Sequence, residues 1–71
     1  MKMMAKKVRL LLVERGINQT ELAKMLGITP SNMSMKLAKD NMTEEDMRRI
    51  ADVLDCDFEG TFVLRESGKR I

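Results

Sequence analysis

From Pro30 to Lys39 the sequence PSNMSMKLAK offers side chains suited to reading a hydrogen-bonding surface rather than to breaking bonds. At about 100° per residue, turning Met33 and Leu37 inward sets Thr29, Pro30 and part of Lys36 near the core boundary. Ser31, Asn32, Met35, Ala38 and Lys39 then lie on the outer side. An Asn amide can pair bidentately with adenine, a Ser hydroxyl can donate or accept, and an apolar side chain can touch the thymine C5 methyl. Ser31, Asn32 and Met35 are therefore the candidate base readers, with Ser34 bordering the same face. The competing reading of a helical Met is that it covers core. Bond-making chemistry has less to work with. The chain has no His and one Cys, and Cys56 alternates with Phe58 as an inward-pointing small hydrophobe. The usual general bases, activated nucleophiles and zinc ligands are missing, so no enzyme, metal or cofactor is expected.

Two short helices must hold that face. Asn18 is a good N-cap, and Glu21 three residues later completes a capping box, so a helix begins at Gln19. Leu22, Ala23 and Leu26 share a face, and Gly27 can take the left-handed conformation that ends the helix. Ile28 plugs the gap. Thr29 is a second N-cap, and Pro30 sits where its missing N–H is harmless, so a second helix runs through Leu37. Two short helices about a tight Gly-containing turn form a helix-turn-helix, whose second helix enters the DNA major groove.

With Gln19, Leu22, Ala23, Gly27 and Thr29 at these gaps, the stretch resembles the Cro/cI (XRE) family of phage and bacterial repressors. The resemblance covers about Val8 to Phe58. It implies a lambda-repressor-like fold, double-stranded DNA as partner, and phosphate contacts from Gln19 and from the helix start at Thr29. Lys36 and Lys39 flank the groove and add positive charge. This sequence departs from the family in three places. Leu12 and Leu37 stand where relatives often pair Arg with Glu, and an apolar pair is expected to replace the ion pair. Lys39, Asp40 and Asn41 replace the glycine after the recognition helix, and the last dozen residues do not continue into a fifth helix.

The remaining elements read simply. Met4, Val8, Leu11, Leu12 and Arg15 form a stripe on a first helix over about 3 to 15, ended by Gly16, with Ile17 as a plug. Leu10 and Val13 lie off that stripe, and a broad buried arc is expected to take them in. Thr43 opens a fourth helix, with Met42 and Met47 placed as a hydrophobic staple. Glu44, Glu45 and Asp46 complement its dipole. Met47, Ile50, Ala51 and Leu54 form its buried stripe, and Asp55 to Asp57 read as a turn. From Gly60 the period becomes two, and Thr61 to Arg65 reads as a single strand.

Seventy-one residues make one small domain near the limit of what a single core can stabilise. The expected fold is mainly α: four helices and a short C-terminal β-strand, divided as a 1–59 helix-turn-helix domain and a 60–71 tail. Net charge is only +2, but it is unevenly placed. Residues 1–39 hold eight Lys/Arg against Glu14 and Glu21, whereas residues 40–59 hold Arg48 and Arg49 against eight acids. A dipolar domain steered onto phosphate by its basic half is one reading, and a mixed solvated surface is the other. A cytoplasmic regulator without membrane span, effector module or small-molecule ligand is expected; an antitoxin-like or anti-repressor module that binds protein is the alternative. A lone strand leaves amides and carbonyls unpaired, which favours a homodimer through Thr61, Phe62, Val63 and Leu64.

Overall fold

The computed structural model describes residues 3–71. In chain order these form α1 (Met4–Arg15), α2 (Gln19–Leu26), α3 (Pro30–Lys39), α4 (Glu44–Val53), β1 (Cys56–Phe58) and β2 (Phe62–Leu64). Local signals account for most of the boundaries. The Asn18 side chain accepts from the Glu21 amide at 2.8 Å and Glu21 returns the bond to the Asn18 amide at 3.1 Å. Thr43 and Asp46 build the same reciprocal box at the start of α4. Gly27 closes α2 at φ 73°, and its amide reaches back to the Ala23 and Lys24 carbonyls.

Where the family carries a glycine, Asp40 itself takes the left-handed conformation at φ 50° and ends α3. Its carboxylate turns to the far side of the loop. There it accepts from the Met3 amide and, at 2.9 Å, from the Ala5 amide. The start of α1, which has no cap from its own N-cap side chain, is thus closed by a residue 35 positions away.

Val8, Leu11, Leu22, Ala23, Met33, Met47, Ile50 and Phe62 are fully buried and form one continuous core with Leu12, Leu37, Met42 and Leu64. Ile17 and Ile28 pack against it as plugs. Leu12 and Leu37 are both buried, on the packed pair α1 and α3. Leu10 and Val13 do not join them. They are 50% and 80% exposed, because the buried arc of α1 is narrow and centred on Met4, Val8 and Leu11.

The C-terminal segment corrects the expectation of a lone strand. Cys56 and Asp57, read as part of a turn, join Phe58 in β1, which pairs antiparallel with β2 in the register Cys56–Leu64, Asp57–Val63, Phe58–Phe62. On its other edge β2 is paired by the tail. The Phe62 and Ile71 amides exchange bonds with each other's carbonyls at 3.1 and 2.9 Å, and the Leu64 amide donates to Lys69 at 2.9 Å. Phe62 and Leu64 therefore enter this chain's own core, and a dimer built by β2 pairing with its copy has no free edge to use. A boundary at residue 59 falls inside this hairpin. Among the described residues, no helix is long and apolar enough to cross a membrane.

Candidate nucleic-acid interface

The N-terminus of α2 and the outer side of α3 bound an open groove. Gln19 and Thr20 form one wall, and Pro30, Ser31, Ser34, Met35 and Ala38 form the other. Residues 31, 34, 35 and 38 recur at helical spacing, so Met33 and Leu37, buried on the opposite side of α3, fix which way this stripe points. Ser31, Ser34 and Met35 are brought together there. Asn32 is exposed but stands about a quarter turn away on the shoulder of the helix, where its backbone amide donates to Thr29 Oγ1 at 3.1 Å. Thr20, absent from the sequence-based candidates, lies beside Gln19 in the groove wall. Its position just inside an N-cap was the available signal.

Capping determines which backbone donors remain. The box at α2 occupies the Asn18 and Glu21 amides, leaving those of Gln19 and Thr20 at the positive end of the helix. At α3, Thr29 occupies the Asn32 amide and Pro30 has none, leaving Ser31. Such amides are suited to an anionic oxygen.

Ion pairing sharpens the charge asymmetry. Arg65 is surrounded by Asp52, Asp55 and Asp57 at 3.6, 3.1 and 3.0 Å. Arg15 grips Glu66 at 2.6 Å, Lys69 meets Glu14 at 2.6 Å, and Arg48 meets Glu44 at 3.6 Å. Among the described residues, Lys6, Lys7, Arg9, Lys24, Lys39 and Arg49 have no acidic partner, and all but Arg49, which donates to the Leu26 carbonyl, belong to the basic half. Lys36, expected to flank the groove, is paired within the chain. Its ammonium sits 3.2 Å from Asp46, in a crevice behind α3 lined by Ile28, Met33, Met42 and Ile50. Burial pushes the Asp46 carboxyl upward, but the Thr43 amide and Lys36 outweigh this and hold it below the ordinary value. Lys36 therefore braces α3 against α4, and Lys39 is the α3 cation left exposed.

The fold and this groove define a helix-turn-helix nucleic-acid-binding module: two capped helices, a glycine turn, and a second helix whose outer stripe is free. The chain belongs to the Cro/C1-type HTH DNA-binding domain family, whose model matches residues 7–62. That span takes in all of β1 and reaches the first residue of β2. No curated protein and no solved structure matches the chain.

Proposed function

We propose that this chain is a sequence-specific, repressor-like transcriptional regulator of the cytoplasm that places α3 in the DNA major groove. The groove-facing stripe of Ser31, Ser34 and Met35 beside the Gln19 wall carries this reading, together with family membership. Ser31, Ser34 and Met35 face base edges, and Asn32 reaches them from the shoulder. The α2 and α3 N-termini at Gln19 and Thr29 take phosphates, and Lys39 adds a cation at the groove's end. Binding as a homodimer belongs to the same reading, since two copies related by a two-fold axis match half-sites one helical turn apart.

Titration of duplexes selected from a random pool tests these roles. Asn32→Ala is expected to weaken the selected site by about 1 to 3 kcal/mol and to relax preference at one base pair. Lys39→Ala is expected to weaken all sequences alike and to lower the salt slope by about 1. Equal losses from both on random duplex would contradict the division of roles. One copy bound per symmetric site, seen by sedimentation, would overturn the homodimer. No DNA binding with a stoichiometric protein partner would favour the protein-binding alternative.

A further inference from the structure

The groove beside α3 is unusual in what it lacks. Its lining residues, among them Gln19, Ser31, Ser34, Met35 and Ala38, include no Arg, Lys, Asp or Glu. The commonest contact to guanine is a bidentate Arg or Lys on O6 and N7, and cytosine is favoured by a carboxylate accepting from N4. Neither group is present here. Of the two α3 lysines, Lys36 is turned away and held by Asp46, and Lys39 stands past the groove's end, outside its lining. The stripe instead carries apolar groups that face outward. Met35 is 51% exposed, and Ala38 follows it along the same stripe.

We propose that this protein selects its site through the C5 methyl groups of pyrimidines, with the Met35 side chain and the Ala38 methyl packed on thymines of an A·T-rich half-site. The inference rests on the regulator reading and adds the chemical feature being read. Met35 suits the task because an unbranched thioether can adapt its torsions to a methyl at variable depth. Removing one contacted methyl exposes Met35 surface to water. At about 0.8 kcal/mol per buried CH2-sized group and 1.4 kcal/mol per factor of ten, that is about a four-fold loss. Any C5 methyl at the same position should serve, including that of 5-methylcytosine.

The test takes the full chain and its best site from a random duplex pool, then replaces each thymine in turn by deoxyuridine. At one or two positions per half-site the wild type is expected to lose about three- to five-fold, and Met35→Ala and Met35→Gln to lose a similar factor on the thymine duplex. Both variants should then be indifferent to deoxyuridine at the position Met35 touches. Replacing that T·A pair by C·G should weaken binding, and 5-methylcytosine should restore part of it. Because Met35 is exposed, thermal melting of both variants should match the wild type, which separates lost contact from lost fold. Tolerance of deoxyuridine everywhere, undiminished sensitivity in both variants, or a selected site with guanine at the contacted positions would overturn the methyl readout while leaving a sequence-specific regulator. Absence of any sequence preference overturns both.

Discussion

At the scale of single residues, α1 and α3 each bring a buried leucine to the core. Leu12 and Leu37, on α1 and α3, are 5% and 2% exposed. Such a pair avoids the desolvation that two buried charges would require, so it can hold the recognition helix without hydrogen-bond geometry. Leu37→Ala is expected to destabilise the fold by about 2 to 5 kcal/mol, read from chemical denaturation, because truncating a buried leucine loses its burial and leaves a cavity. A loss under about half a kcal/mol would place Leu37 at the surface and shift the phase of α3, moving Met35 out of the groove. Arg15 works differently. Its guanidinium holds both Glu66 oxygens, at 2.6 and 3.0 Å, and the Asp55 carbonyl at 3.0 Å, joining α1 to both ends of the hairpin. Glu66, through that hydrogen bond, is held below the usual carboxylate range.

At the scale of elements, the loop after α3 has two roles. Asp40 ends the recognition helix and caps α1, and the Ala5 amide foremost, with those of Met3 and Met4, holds its carboxyl below the usual carboxylate range. Asp46 and Glu66 are shifted the same way. In each case the unfolded chain takes up protons at a higher pH than the folded one. Their stabilisation is therefore complete above the ordinary carboxylate range and is lost as pH falls through it toward the depressed folded values. Thermal midpoints measured from pH 7 downward should hold until about pH 5 and then decline. Asp40→Asn should lower the midpoint at neutral pH and flatten part of the acid decline, because an amide does not titrate and accepts α1 amides less strongly. An acid profile unchanged by Asp40→Asn would show that the cap does not contribute.

At the scale of the whole molecule, the C-terminal hairpin belongs to the same cooperative unit as the four helices. Phe62 and Leu64 are almost fully buried, and Phe58 packs on Phe62 with ring centres 5.4 Å apart. A chain ending at Glu59 should lose the burial of those two side chains, about 1.5 to 3 kcal/mol each, and also the partner of β1. Small domains hold only about 5 to 15 kcal/mol in all, so the truncated chain should melt at much lower temperature with a shallower transition. A truncated chain melting like the intact one would show the hairpin to be an appendage.

The sequence by itself determined the four helices and the turn between α2 and α3. Their signals are local: Asn18 with Glu21, Thr43 with Asp46, Gly27, Pro30, and apolar residues at helical spacing, each acting within one or two turns of chain. It also determined which face of α3 is outward, because Met33 and Leu37 leave only one stripe free. Only the tertiary structure decided the rest. β1 was hidden because Cys56 and Asp57, which read as part of a turn, become a strand with Phe58 only when β2 lies alongside. Leu10 and Val13 were misplaced because the width of a buried arc depends on what packs against it. The Lys36–Asp46 ion pair was not legible because its partner lies on another helix, nor was the Asp40 cap, because the Ala5 amide it meets is 35 residues away. Each of these depends on contacts between distant parts of the chain, which local propensity and periodicity do not encode.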